Sequence, residues 1–268
     1  MNTTQSDIRI GVDVTNPGQF FACCGLLELA DRLWGGAEGW FDGPWFHIQS
    51  TDRGVEEAAL PALLAEISKA PLTQLDPDDD FASPMLVGGP FDLTLNWWKD
   101  TIAGGSELKV WTGSMCSVRI ARAMQAASRD PALHTDDLLN ARMVVFDPDD
   151  ADNKVEPYYF DSRRGRSANP VDVGFSPNKL DMQTMAYPAV EFLCLVGLQR
   201  CRPMPADVPR RFDYYTWTGP CRPCVLPMVV CGVLRAGRAR GHQFENAFRT
   251  NRKKHKSFLP GNPIGDTQ

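Results

Sequence analysis

FDSRRGRSANPVDVGFSPNKLDMQTMAYPAVEFLCLVGL, residues Phe160 to Leu198, is the stretch around which the chain divides. Arg163, Arg164 and Arg166 fall on a loop containing glycine and serine. The segment that follows, Pro170-Val-Asp-Val-Gly-Phe, reads as extended. Tyr187 to Arg200 then reads as an apolar helix, stopped by Arg202-Pro203. The chain carries a net charge of −5. From Lys154 onward it has 18 Lys and Arg against 9 Asp and Glu, a net +9, which leaves −14 for residues 1–153. Such asymmetry fits a polyanion-facing side, or two oppositely charged halves packed on each other.

The 268 residues suffice for one large domain or two small ones. With 43% hydrophobic and 23% charged residues the composition is that of a globular protein. No apolar run approaches the roughly 20 residues that span a bilayer. The first residues lack the basic and apolar regions of a signal peptide. A cytoplasmic location is therefore expected. The eight cysteines fit that compartment: Cys23, Cys24 and Cys194, inside apolar helix patterns, read as small buried hydrophobes, and a disulfide framework is not expected.

Toward the N-terminus, Ile8 to Val14 alternates as a strand. Asn16-Pro17 supplies a cap and a first-turn proline for a helix to about Leu33, ended by Gly35-Gly36, with Phe20, Phe21, Cys24, Leu27 and Leu33 on its apolar face. Gly25 lies inside that helix and predicts close approach of a neighbour, since it costs about 1 kcal/mol against Ala. Trp40 to Ile48 predicts a hairpin turning at Asp42-Gly43. Glu56 to Lys69 is amphipathic. Residues 76–84 form an acidic loop without the glycine, spacing and final Glu of a calcium loop. Strands are predicted at Phe91–Trp98, Leu108–Trp111, Arg142–Phe146 and Tyr158–Asp161, and a helix from Gly113-Ser114 to Ala127. A second acidic loop, Asp147 to Asn153, marks a subdomain boundary.

In the basic half, Arg211–Thr218 and His242–Arg249 read as strands, the latter as the last. Val225–Leu234 fits strand or helix. The tail from Arg249 is basic, and order ends at Pro260-Gly-Asn-Pro. Phe20, Gly25 and Leu26 recur at one constant offset as Phe192, Gly197 and Leu198, either a weak internal duplication or chance. The expected fold is α+β, with mixed or antiparallel sheets and interleaved helices. Its two parts are an acidic subdomain, 1–153, and a basic subdomain, 154–268.

Chemical motifs are sparse. Cys221-Arg-Pro-Cys224 is the one CxxC; Cys231 and His242 are the nearest further ligands, at unconventional spacing, so incidental, zinc and redox readings stay open. Nucleophile elbow, Walker loop, HExxH and strand-linked GxGxxG patterns are missing, so no catalytic residue and no cofactor is expected. The basic residues carry more. Arginines on a Gly/Ser loop suit phosphates, and a basic tail adds affinity by counterion release. The expected nucleic-acid contacts are Arg163, Arg164, Arg166, Lys179, Arg210, Arg211, Arg252, Lys253 and Lys254, with Arg249 and Lys256 in the same tail. Tyr214, Tyr215 and Trp217 fit either base stacking or the core.

The blocks Asn16-Pro-Gly-Gln-Phe-Phe-Ala-Cys-Cys-Gly-Leu-Leu-Glu-Leu-Ala-Asp, Phe160-Asp-Ser-Arg-Arg, Asp172-Val-Gly-Phe-Ser-Pro, Glu191-Phe-Leu-Cys-Leu-Val-Gly-Leu-Gln-Arg-Cys-Arg-Pro and Tyr215-Thr-Trp-Thr-Gly-Pro lie in one order across most of the chain. Together they resemble the type I-U (I-G-like) CRISPR-associated proteins, short large-subunit-like components of the crRNA-guided surveillance (Cascade) complex. The resemblance implies a non-catalytic subunit in antiviral defence that binds crRNA or target DNA and neighbouring subunits. It also implies a part in flanking-motif recognition or in recruiting the helicase-nuclease, while base pairing reads sequence. Two other readings stand beside it. One is a metal-independent guide-RNA endoribonuclease using His242 or His255; the other is a protein-only scaffold.

Overall fold

The computed structural model describes residues 6–52, 58–112, 115–164, 185–249 and 255–265. Strand β1 (Ile8–Gly11) leads into helix α1 (Pro17–Trp34). Asn16 caps α1 by accepting from Gly18 N, Pro17 sits at its first position, and Gly35 closes it in the left-handed conformation at φ 74°. These are the start and stop signals present in the sequence. The hairpin follows as β2 (Ala37–Asp42) and β3 (Trp45–Ser50), with β3 central between β1 and β2. Helix α2 (Ala59–Lys69) precedes β4 (Leu72–Gln74), β5 (Met85–Val87) and β6 (Leu93–Leu95), a small meander. A single helical turn α3 (Gly105–Leu108) and helix α4 (Ser117–Ala127) follow. Gln125 and Arg129 of the α4 end cap α2 by donating to the carbonyls of Ile67, Ala70 and Ser68.

β7 (Phe146–Asp147) and β8 (Asp150–Lys154) pair as a hairpin, and helix α5 (Pro188–Arg200) comes after it. The largest sheet takes β9 (Met204–Pro205), β10 (Arg211–Tyr215), β11 (Gly241–Phe248) and β12 (Lys256–Phe258), in the order β12-β11-β10-β9. A short helix α6 (Leu226–Val230) lies between β10 and β11, and β13 (Asn262–Pro263) also pairs with β11. Every named ladder is antiparallel. The fold is α+β, as its irregular interleaving of elements predicts.

Helices α1 and α5 cross at the centre. Pro17 to Ala30 and Pro188 to Leu198 are each buried without a break. Both helices are therefore covered around the whole circumference rather than along one face, with Gln19, Glu28 and Glu191 as buried polar members. The crossing is set by glycines. A Cβ on Gly25 would stand 1.9 Å from Leu193 O, and one on Gly197 would stand 2.0 Å from Phe21 O. These contacts are reciprocal at the one offset noticed in the sequence, so the paired glycines are two sides of one helix crossing. Phe20 then stacks on Phe41 of β2 at 5.4 Å and meets the Tyr214 ring of β10 at a tilt, 4.6 Å away. One buried cluster runs through residues from both the acidic and the basic halves.

Several local expectations fail, each for a definable reason. Phe91–Trp98 keeps strand geometry only at β6; Trp97–Lys99 forms a 3₁₀ turn that buries both indoles. Leu108–Trp111 is not a strand. Gly104 in the left-handed region and a close approach of Gly105 to Trp97 O start the turn α3 instead. Arg142–Phe146 contributes one isolated bridge, Met143 with Ala186, before β7 begins. Asp147–Asn153 is largely the β7–β8 hairpin, with Asp147 accepting from Asp149 N at its turn. Tyr158–Asp161 forms no strand: Tyr159 is left-handed at φ 77°, and the N–H groups of Tyr159, Phe160 and Asp161 go to a carboxylate described below. β12 and β13 follow β11, so order does not end at Pro260. The extended segment expected from Pro170 lies outside the described residues.

Candidate nucleic-acid interface

The loop Tyr159–Arg164 is gripped by the N-terminal ends of both central helices. From α1, Asn16 Oδ1 accepts from Ser162 N at 3.1 Å while Asn16 Nδ2 donates to Asp161 Oδ1 at 3.0 Å. Gly18 brings its backbone against Phe160, where a Cβ would stand 2.5 Å from the carbonyl oxygen. From the first turn of α5, the Glu191 carboxylate accepts from the N–H groups of Tyr159, Phe160 and Asp161 at 3.0, 3.2 and 3.2 Å. Those three donors are what a strand would have placed in a ladder. Glu191 and Asp161 are both fully buried. Burial, with the neighbouring Asp161 charge, pushes Glu191 up to about 8 against the pull of its three backbone donors.

Arg163 completes the anchor. It donates from Nε and Nη2 to the two oxygens of Asp161 at 2.9 and 2.6 Å, from Nη1 to Asn140 Oδ1 and from Nη2 to Leu139 O. Its guanidinium also lies 3.5 Å over the Tyr187 ring. A bidentate pair of this kind neutralises Asp161 and fixes the loop.

The next residue faces a different environment. Arg164 lies over the ring of Tyr159 at 5.9 Å, and Arg249, just past β11, lies over it at 3.3 Å. The β12 strand runs beside them: Phe258 N donates to Tyr159 O and Lys256 N to Val110 O. Lys256 Nζ reaches Glu107 O, as does Asn246 Nδ2. Asn246 N donates to Arg210 O, and Arg210 packs over Phe248 at 5.1 Å. These contacts bring Lys109, Arg164, Arg210, Arg249 and Lys256 onto one surface. Its carboxylates are Glu245, 3.8 Å from Arg210, Glu156, which accepts from the Tyr159 hydroxyl, and Glu107 and Asp79, whose charges act on Lys256 and Lys109. Burial lowers the Lys256 pKa, and neighbouring Arg210 and Lys109 lower it further. Burial also lowers Lys109.

Two further features mark this surface. The Nε groups of Arg164, Arg210 and Arg249 are buried without a hydrogen-bond partner among the described residues. An unmet buried donor costs about 1–3 kcal/mol, and an anion accepting from it would remove that cost. Tyr159 and Arg210 also hold left-handed backbone, at φ 77° and 63°. That conformation costs of order 1–3 kcal/mol outside glycine and concentrates at functional sites. Burial pushes the Tyr159 phenol up to about 12, with Arg249 pulling it down.

The expected contact residues thus separate. Arg164 and Arg210 meet on the cationic surface. Arg163 lies beside it, engaged with Asp161. Arg211 is exposed at the start of β10. Arg166, Lys179, Arg252, Lys253 and Lys254 lie outside the described residues; Arg166 follows Arg164 closely in sequence, and the last three lie between Arg249 and Lys256. Lys109 and Tyr159 were missed, because neither stands in a basic run. Tyr214 and Trp217 are fully buried, and Trp217 Nε1 donates to Gly39 O, so both belong to the core and not to a stacking platform. Tyr215 packs against Gly232 and Gly241.

Cys221 forms a bridge with Gly39, Cys224 is exposed, Cys231 Sγ donates to Arg202 O, and His242 is buried against Tyr214. No three His, Cys, Asp or Glu side chains gather as a metal site among the described residues. Nor is any helix among them long and apolar enough to cross a membrane. The chain matches no family model, no curated protein and no solved structure.

Proposed function

We propose that this protein is a non-catalytic, cytoplasmic subunit of a type I CRISPR effector complex. It holds crRNA or target DNA by the phosphate backbone and docks other subunits. One observation carries the polyanion part: Arg164 and Arg249 lie over Tyr159, and their buried Nε donors, with that of Arg210, lack a partner among the described residues. A phosphate is the ligand whose geometry and charge meet such donors. The complex itself, a share in flanking-motif recognition and recruitment of the helicase-nuclease rest on the sequence blocks that resemble the type I-U family. The anchor of Asn16, Asp161, Arg163 and Glu191 has a positioning part, holding Arg164 at the edge of the surface.

The test is a tagged pull-down from the native operon context, with sequencing of co-purified nucleic acid. Recovery of short RNAs sharing a repeat-derived end, together with other subunits, is the expected result. Recovery of the protein alone, free of nucleic acid, would refute the reading. In the runner-up chemistry, His242 or His255 would act as acid or base; His242 is 4% exposed and stacked on Tyr214, which offers a substrate little access.

A further inference from the structure

One stretch of the chain stands apart in composition. Tyr214 to Phe244, 31 residues, holds no Asp, Glu, Lys or Ser, although the whole chain has 33 Asp and Glu. Its charged residues are Arg222, Arg235, Arg238 and Arg240. Arg222 lies 3.9 Å from Asp31. Arg235, Arg238 and Arg240 are exposed, without an ion-pair partner among the described residues. All three fall between α6 and β11, a segment that also exposes apolar side chains. Val233 is 70% exposed and Leu234 42%, beside Met228 of α6 at 48%.

This segment is one closed loop. Tyr215 fills its neck: a Cβ on Gly232 would stand 2.6 Å from Cε2 of that ring, and one on Gly241 2.7 Å from Cε1. The chain thus leaves and returns at the two edges of a single ring. A shared acceptor joins the apolar part, since Val233 N and Leu234 N both donate to Met228 O, at 2.9 and 3.0 Å. Arg235 comes next in sequence. The return limb is laced to the residues after β10. Thr218 N and Gly219 N donate to Ala236 O, Arg238 N to Thr218 Oγ1, Arg240 N to Thr216 Oγ1 and Thr216 N to Arg240 O. Gly232 and Gly237 turn at φ 75°. Compact loops closed at the neck are often functional, and a fixed backbone lowers the ordering cost of binding.

Arginine and methionine, with lysine, serine and carboxylates missing, is the composition of a protein–protein contact. A phosphate backbone would use the arginines and leave the apolar tip idle. We infer that the loop from Gly232 to Gly241 docks a neighbouring protein whose contact surface is an apolar depression rimmed by Asp or Glu. Met228, Val233 and Leu234 enter the depression. Arg235, Arg238 and Arg240 meet the carboxylates, each able to pair in bidentate fashion. Charge complementarity sets the partner's sign, because the loop brings three positive charges and offers no carboxylate to a basic surface. The inference rests on the subunit reading for the existence of such a neighbour, and adds the surface and the partner's chemistry.

The experiment is photocrosslinking in the native operon context, with Val233→p-benzoylphenylalanine in the tagged full chain. The expected result is one protein adduct, mapped by mass spectrometry to a segment in which Asp or Glu flanks apolar residues. Adding Arg235→Glu/Arg238→Glu lowers the adduct yield at least about tenfold. Changing the mapped carboxylates of the partner to Lys restores it. The altered positions of this chain are exposed, and circular dichroism of each variant verifies the fold. An adduct with nucleic acid or lipid overturns the inference. So does a protein adduct at a segment without carboxylates, or one that survives the reversal. Nucleic acid co-purified with a chain that gives no protein adduct overturns this inference alone. A protein adduct without nucleic acid leaves it standing and removes the nucleic-acid reading; a chain recovered with neither removes both.

Discussion

The guanidinium of Arg249 lies 3.3 Å over the ring of Tyr159, and the backbone that aims this ring is left-handed, at φ 77°. A strained tyrosine thus holds an arginine whose Nε has no partner among the described residues. Arg249→Ala and Arg164→Ala are expected to weaken binding of a single-stranded oligonucleotide. Each should also reduce the slope of log affinity against log salt by about one. Filter binding across a salt series measures both. An unaltered slope in the double variant would remove the phosphate role from this surface.

Arg163 behaves differently because its carboxylate partner is fully buried. Arg163→Ala leaves Asp161 uncompensated, and removing one partner of a buried pair costs about 3–5 kcal/mol. Urea denaturation should therefore show a loss of stability far larger than for Arg164→Ala. Equal, small effects of the two substitutions would show that the anchor does not hold the loop.

Asn16 joins a helix cap to the same loop. Replacing a cap residue by Ala typically costs about 1 kcal/mol, but here the bonds to Ser162 and Asp161 are lost as well. Asn16→Ala should cost about 2 kcal/mol or more. Asn16→Asp keeps the cap acceptor yet adds a carboxylate to the Asp161–Glu191 pair, and should be worse than Ala. Thermal melting ranks the three proteins, and Asp equal to wild type would contradict the geometry.

At the helix crossing, Gly25→Ala and Gly197→Ala place a methyl group about 2 Å from a carbonyl oxygen. The helices must separate, and each substitution should cost about 3 kcal/mol or more. Gly35→Ala is the comparison. It has open space around it and only a left-handed backbone to sustain, so about 1 kcal/mol is expected. A chemical denaturation series that gave all three the same cost would argue against the close approach.

Glu191 makes stability depend on pH. Its folded pKa, about 8, lies above the ordinary unfolded value, so the native state binds the extra proton between the two. The stabilisation is full below the unfolded pKa, falls as pH rises, and is gone above about 8. Urea midpoints should therefore drop from about pH 5 to about pH 9. Glu191→Gln should flatten that slope, whatever it does to absolute stability.

The parts of the fold readable from sequence were those fixed by neighbours along the chain. Asn16-Pro17 and Gly35 bound α1, the first hairpin turned at Gly43-Pro44, one residue beyond the expected Asp42-Gly43, because Asp42 still pairs with Trp45, and the apolar run at α5 was unmistakable. Gly25 announced a close neighbour without naming it. What could not be read depended on distant partners. Tyr158–Asp161 has the composition of a strand, but Glu191 takes its donors. Trp217 looked as suited to stacking bases as to filling the core, and only Gly39, Phe41 and Phe46 decide between them. The cationic surface was half visible: Arg164, Arg210 and Arg249 stand in basic surroundings, whereas Lys109 joins them through the pairing of Val110 with Lys256.

The crossing of α1 and α5 also has a consequence for biosynthesis. The side of α1 that packs on α5 is buried and largely apolar, and its cover is made 172 positions later, as between Glu28 and Arg200. A ribosome adding about 5–20 residues per second delivers that cover roughly 10–30 s after α1 is made. During that interval the nascent chain displays an uncovered, largely apolar face, a ready client for chaperones. Slowing translation upstream of α5 should lower the soluble yield, and no fragment ending before α5 is expected to accumulate in soluble form.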